Sequence, residues 1–210
     1  MKISELFYEC GSDKSHPTEH SYGDFYDHLV GRFQLRSVLE VGVEAGYSMA
    51  AWKKLLPEAL VIGLDKDVTP EDSISKLNPV DSANLMRDKV KRNMLRHGDV
   101  FPPYDRVPGL DVIRCCVPDF SEAIARFRSA GVKFDLIIDD ASHTENDQVL
   151  TYHYLKEFLS DSGVFVIEDI QNDETISRLK NSGWEIVDLR ELKGRWDDVI
   201  AFRYAKDYQW

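Results

Sequence analysis

The stretch Ser37-Val38-Leu39-Glu40-Val41-Gly42-Val43-Glu44-Ala45-Gly46 passes from an apolar run rich in β-branched residues into a loop with two glycines. From Ser48 to Leu56 the apolar residues recur at three- and four-residue spacing, which predicts a helix. A buried strand running through a glycine loop into a helix is the opening of an alternating α/β chain. Continuous rather than alternating hydrophobicity in the strand implies a parallel sheet covered on both faces.

Working outward, the same kind of run recurs at Leu60-Val61-Ile62-Gly63-Leu64-Asp65, over 110–116, at Phe134-Asp135-Leu136-Ile137-Ile138-Asp139 and over 163–168. Helical spacing over 121–130 and 146–159 supplies further crossovers. Two late β-rich runs, 184–189 and 197–204, are separated by a turn containing Gly194 and predict an antiparallel strand pair at one edge. The expected fold is therefore a doubly wound, mostly parallel seven-stranded sheet with an antiparallel C-terminal pair. Ligands of such sheets bind beyond the carboxyl ends of the strands.

The chain has 210 residues, 43% of them apolar, enough for one sizeable core and short for two, so a single domain over 1–210 is expected. Residues 1–36 form an N-terminal arm and 66–109 an unusually long connection between the second and third strands. Such connections are usually functional or mobile. Within it, the stretch from Arg87 to His97 is basic, flanked by Pro70, Pro79, Pro102 and Pro103. A solvated helix face explains it most simply. The functional alternatives are a lid that presents cations to an anionic acceptor and a contact within a homo-oligomer.

A net charge of −11 argues against sequence-independent nucleic-acid binding, which needs Lys and Arg to neutralise phosphates. No signal-peptide pattern is present, nor any uncharged apolar run of about 18 residues, so neither export nor membrane association is expected and the chain reads as cytoplasmic. Cys10, Cys115 and Cys116 form neither a disulfide framework nor a metal-binding spacing and read as buried thiols.

Gly42 and Gly46 allow a sharp turn and a close approach of backbone to ligand. A glycine pair between strand and helix also occurs where nothing binds. The loop departs from the dinucleotide fingerprint, and Glu44 places a carboxylate where a pyrophosphate needs free amides, so a cofactor without phosphate fits better. Asp65, at the end of the second strand, is placed to accept hydrogen bonds from ribose hydroxyls.

The strand and loop Glu40 to Gly46, with Trp52 and Gly63-Leu64-Asp65, resemble the class I S-adenosylmethionine-dependent methyltransferases, whose sheet is Rossmann-like. Gly11-Ser12-Asp13-Lys14, Tyr22, Tyr26, the segment from Ile138 to His143 and Ile167-Glu168-Asp169-Ile170 narrow the resemblance. Together they are similar to the metal-dependent macrolide-sugar O-methyltransferases of the mycinamicin and macrocin type, enzymes of natural product biosynthesis. The resemblance covers most of the chain except the 66–109 connection. It implies that Glu40, Gly42 and Gly46 hold the methionine part of the cofactor and Asp65 its ribose. It also implies adenine contact by Asp119, although Val117-Pro118-Asp119 departs from the usual polar, glycine-containing stretch. An arm carrying Lys14 and Tyr22 folds over the cofactor in relatives; without the resemblance it reads as an irregular arm.

Asp139 and Asp140 end the fourth strand, and Glu168 and Asp169 the fifth. Four like charges at one sheet edge are most simply compensated by a hard divalent cation, Mg²⁺ or Mn²⁺. Adjacent acids on an extended strand point to opposite faces, so at most one of each pair should face the ligand unless a turn intervenes. The resemblance assigns Asp140, Glu168 and Asp169 to the metal and His143 to the general base for a hydroxyl acceptor, leaving Asp139 as a cofactor or outer group. Asp139 and Asp169 can instead simply cap following segments, and the Arg195-Trp196-Asp197-Asp198 cluster reads as a turn.

The resulting expectation is methylation of a hydroxyl on a small molecule or sugar. An amine or phosphonate acceptor on the same fold is the alternative enzyme, and a non-catalytic nucleotide-binding module the alternative class.

Overall fold

In a computed structural model, residues 1–66, 109–115 and 119–206 are described. The basic stretch Arg87 to His97, the four prolines around it, and Cys116, Val117 and Pro118 lie outside them. Two helices, α1 (Ile3–Cys10) and α2 (Gly23–Arg32), precede strand β1 (Ser37–Val41), helix α3 (Tyr47–Leu55) and strand β2 (Leu60–Asp65). Then come β3 (Leu110–Arg114), α4 (Ser121–Ala130), β4 (Phe134–Asp139), α5 (Glu145–Leu155) and β5 (Leu159–Ile167). The chain closes through α6 (Asp173–Asn181), β6 (Glu185–Asp188), α7 (Arg190–Lys193) and β7 (Val199–Tyr204).

The seven strands form one sheet in the order β3-β2-β1-β4-β5-β7-β6. Every pairing from β3 to β5 is parallel, and β7 lies antiparallel to both β5 and β6. Strand order reverses between β1 and β4, which opens a crevice at their carboxyl ends. The expected sheet and its antiparallel edge are what the structure has.

Period-two alternation divides the core. Val38, Val61, Leu136, Ile138, Val164 and Val166 pack under α1, α2 and α3 with Trp52, Phe7 and Tyr26. Leu39, Val41, Ile62, Leu64, Ile137 and Phe165 point the other way onto α4, α5 and α6 with Phe120, Phe127 and Ile176. Both faces are therefore covered, as uninterrupted apolar strands require. Cys10 and Cys115 are buried, as read from the sequence.

The arm is more ordered than an irregular segment. Ile3, Leu6, Phe7 and Cys10 fall on one helical face and are all buried, and Gly11 ends α1 in the left-handed conformation. Beyond it a tight 3-10 turn, Asp13–Ser15, is capped by Ser12, whose hydroxyl accepts from the Lys14 amide. Among the described residues, no helix is long and apolar enough to cross a membrane.

Candidate active site

Loop β1–α3 is held open from below by Asp65. Its Oδ2 accepts the backbone amides of Val43, at 2.7 Å, and Glu44, at 2.8 Å. Two charge-assisted bonds from one strand end fix the loop that follows another strand. Gly42 has φ 92, and a Cβ there would lie 1.9 Å from the Asp140 carbonyl oxygen, so only glycine lets the ends of β1 and β4 pass this closely. Gly46, also left-handed, starts α3.

Around this crossing lies a cleft of about 1030 Å³, lined by Gly42, Val43, Glu44, Asp65, Asp140 and His143, among others. Gly11 to Asp13 of the arm, together with Glu19, form its other wall, and Asp169 also borders it. That volume suits a cofactor with a small acceptor.

Beneath the cleft, Lys14 is 1% exposed. Its Nζ donates to Asp140 Oδ2 at 2.6 Å and to Glu168 Oε2, and lies 3.5 Å from Glu40 Oε1. Burial pulls the Lys14 pKa down, but Asp140, Glu168 and Glu40 together hold it well above the ordinary value, so the ammonium stays charged. Burial alone would raise Asp140, yet Lys14 and His143 keep its carboxyl below the usual range. Burial pushes Glu40 up to about 7, against the pull of Lys14. Glu40 is fully buried, and its charge is met by the Lys14 ammonium at 3.5 Å rather than by a hydrogen bond of ordinary geometry.

Strand alternation holds at one pair and is relaxed at the other. Asp139 turns away from the cleft into a fully buried position beside Thr151, and burial raises it to about 7, while Asp140 turns toward Lys14. Asp169, by contrast, has φ 54, and this left-handed residue lets Asp169 and Glu168 both meet the arm. Glu168 accepts from Lys14 and from the Tyr26 hydroxyl, while its carbonyl receives Gln148 Nε2 at 3.0 Å. Asp169 accepts from the Tyr22 hydroxyl and lies 3.3 Å from His20 Nδ1.

His143 is also left-handed, at φ 57. Its Nε2 lies 3.3 Å from Asp140 Oδ1 and 3.4 Å from Asp169 Oδ2. Two strained backbones converging on one imidazole mark a position held by its surroundings, as functional sites often are. Burial lowers the His143 pKa, but Asp140 and Asp169 outweigh it and raise the imidazole above its ordinary value.

The structure thus brings together Lys14, Tyr22, Glu40, Asp140, His143, Glu168 and Asp169. Gly42, Asp65, Asp140, His143 and Asp169 border the cleft itself, whereas Glu40, Lys14, Tyr22 and Glu168 lie behind its wall. Asp119 is exposed and accepts the Ser121 amide at 3.0 Å, capping α4. Atoms of Asp140, His143 and Asp169 that could ligate a metal lie within 4.8 Å of one another. Glu168 is not in that group; its two oxygens are engaged by Lys14 and Tyr26.

Sequence reading gave no role to Gln148 or to the brace behind Asp169. There Asp198, fully buried, accepts the Ser21 amide at 3.0 Å, and Arg195 pairs with Glu19 at 2.8 Å and with Asp197 at 3.0 Å. The segment read as a turn also ties β7 to the arm. The adjacent acids Asp197 and Asp198 beside a β-rich run were the available signal.

A sheet of this order, with acids and a glycine loop around a cleft at its strand ends, defines a class I methyltransferase fold. The chain belongs to the methyltransferase domain family, which matches residues 39–170. Among solved structures it is similar to MycE, a methyltransferase from the mycinamycin biosynthetic pathway in complex with Mg and SAH, at 23% identity and a TM-score of 0.54. That match covers 80% of this chain but only 36% of MycE, so the chain spans about a third of MycE's length. It is also similar to an O-methyltransferase from Bacillus cereus in complex with SAH, at 16% identity and a TM-score of 0.56, covering 97% of this chain and 90% of that one. TomG, an O-methyltransferase from Streptomyces achromogenes involved in tomaymycin synthesis, is 13% identical over 85% of this chain and 78% of its own, with a TM-score of 0.54. At these identities the likeness establishes the fold. No curated protein matches the sequence.

Proposed function

We propose that the protein is an S-adenosylmethionine-dependent O-methyltransferase acting on a hydroxyl of a small molecule or sugar, with His143 as general base. The observation that carries the reading is the convergence of Asp140 and Asp169 on His143 at the edge of the cleft. Similar folds are found in MycE and the Bacillus cereus enzyme in complex with SAH and in TomG in complex with SAM, which supports the cofactor; in this chain Glu40 and Asp65 lie at the ends of β1 and β2, with Gly42 just after β1. S-adenosylmethionine, when bound, supplies an electrophilic methyl on a sulfonium.

This chain's residues supply the rest. Asp65 fixes the loop against which the cofactor rests. Glu40, buried behind the cleft wall beside Lys14, adds negative charge at the end of the cleft where the methionine ammonium would lie. Asp140 and Asp169 face His143 Nε2 and hold it as a donor, which leaves Nδ1 as the nitrogen that takes a proton from the acceptor hydroxyl. Alignment of the acceptor oxygen with the methyl carbon and its sulfur leaving group in the cleft accounts for the remaining barrier.

The donor set at Asp140 and Asp169 fits one Mg²⁺ or Mn²⁺, since hard carboxylate oxygens suit either and Mg²⁺ commonly keeps water beside one or two carboxylates. An ion held there would lower the pKa of a bound hydroxyl. His143 belongs to the same donor group, but ligation through Nε2 would place a proton on Nδ1 and end the base role, so the two carboxylates are the ligands assigned here.

The test is methyl transfer from S-adenosylmethionine to a panel of glycosides and amines, read by mass, with wild type and His143→Ala in Mg²⁺ and in chelator. O-methylation that collapses in the variant supports the reading. Full turnover by the variant, or transfer only to nitrogen, sinks it.

A further inference from the structure

Buried lysines are rare, and one whose ammonium meets three carboxylates from three different strand ends is rarer still. Lys14 reaches Asp140 after β4 at 2.6 Å, Glu168 after β5, and Glu40 near the end of β1 at 3.5 Å. It comes from the 3-10 turn of the arm, and its neighbours make parallel attachments: Tyr22 to Asp169, Tyr26 to Glu168, and Ser21 to Asp198. All of these partners sit on the edge that like-charge repulsion would otherwise open. Burial works against a charge on Glu168, and Lys14 opposes that effect.

We propose that Lys14 is a built-in cation that assembles the active centre: its ammonium neutralises Asp140 and Glu168, docks the N-terminal arm on the sheet, and withholds Glu168 from any metal ion. A divalent ion at the centre is then left with Asp140 and Asp169 beside His143. Glu168 becomes a positioning residue, acting through Lys14 and Tyr26. Arm closure, which builds one wall of the cleft, does not wait for metal.

The inference rests on the charge arrangement and not on methyl transfer, so its test needs neither S-adenosylmethionine nor an acceptor. Full-length wild type, Lys14→Met, Glu168→Gln and the double variant are stripped with chelator. Each is then melted with and without Mg²⁺ and titrated with Mn²⁺, followed by electron paramagnetic resonance.

Lys14→Met is expected to melt about 10 °C lower in chelator, because carboxylates are left buried without their partner. Mg²⁺ should restore much of the loss, and Mn²⁺ should bind on the order of tenfold more tightly as Glu168 becomes available. Adding Glu168→Gln to Lys14→Met should recover most of the melting temperature without metal, which loss of packing alone would not allow. Glu168→Gln by itself should leave Mn²⁺ affinity at the wild-type value.

If Glu168→Gln alone abolishes Mn²⁺ binding by a wild type that binds it, Glu168 is a ligand and the proposal is overturned. Equal melting of wild type and Lys14→Met in chelator overturns it as well. If Lys14→Met does not fold at all, the Glu168→Gln titration still decides. Mn²⁺ binding by Lys14→Met but not by wild type supports the lysine while removing the metal from the proposed function.

Discussion

The two halves of the cleft are built by different means. On the β1–β2 side Asp65 bonds backbone amides of the neighbouring loop, with a strand, a turn and a glycine doing the positioning. On the β4–β5 side charged and phenolic side chains meet partners more than a hundred residues away, Lys14 with Asp140 and Glu168, and Tyr22 with Asp169. The first half is a cradle set by local chain geometry. The second adds long-range contacts from the arm to the Asp140–His143–Asp169 group.

The sharpest break in that comparison comes where the halves touch. Gly42→Ala puts a Cβ on the Asp140 carbonyl at a positive φ, and we expect it to destabilise the fold by at least about 3 kcal/mol in denaturant melts. His143→Ala is expected to lower kcat on the hydroxyl acceptor by about 10²–10⁴-fold while leaving S-adenosylmethionine affinity, measured by titration calorimetry, unchanged. Asp65→Ala should do the reverse, weakening cofactor binding on the order of tenfold with kcat at saturation largely kept. If both variants changed affinity and turnover alike, the division into cradle and catalytic edge would be lost.

A smaller effect lies in the pH profile. If His143 is the base, as proposed, it must be unprotonated, and since its carboxylate neighbours raise its pKa above the ordinary histidine value, kcat/KM should climb with pH through an apparent pKa above that value. Asp140→Asn should move that limb to lower pH. The stability counterpart has the opposite sense. The favourable pairing of His143 with its carboxylates is fully present below the unfolded histidine pKa and fades as pH rises through the folded one. The smallest effect belongs to Asp119→Ala, which removes an exposed cap on α4 and should cost no more than about 2 °C of melting temperature, with cofactor affinity intact.

Local chemistry explains how much could be read from the sequence. Strands such as 134–139 and the glycine loop after β1 announce themselves through β-branched runs and turn residues, and the strand ends carrying Glu40, Asp65, Asp140 and Glu168 follow from them. Helix α1 was not read from the sequence, although Ile3, Leu6, Phe7 and Cys10 fall at helical spacing, because its polar continuation through His20 made the arm read as irregular. Helix α6 is short and polar, with Asp173, Glu174, Arg178 and Lys180 among its nine residues, and its Asn172 cap was the clearest cue. Which of Glu168's neighbours would claim its oxygens could not be read, because Lys14 and Tyr26 reach it only through tertiary docking. Strand alternation correctly separates Asp139 from Asp140, while the left-handed turn at Asp169 overrides it and brings both members of the second pair to the arm.

The central claim is that this cleft binds S-adenosylmethionine against the β1–β2 cradle. Calorimetric titration of S-adenosylmethionine into the full-length protein tests it most directly. The account predicts a single site per chain, with binding weakened by Asp65→Ala and untouched by Asp119→Ala. An absence of binding, or equal affinity in wild type and Asp65→Ala, would contradict it.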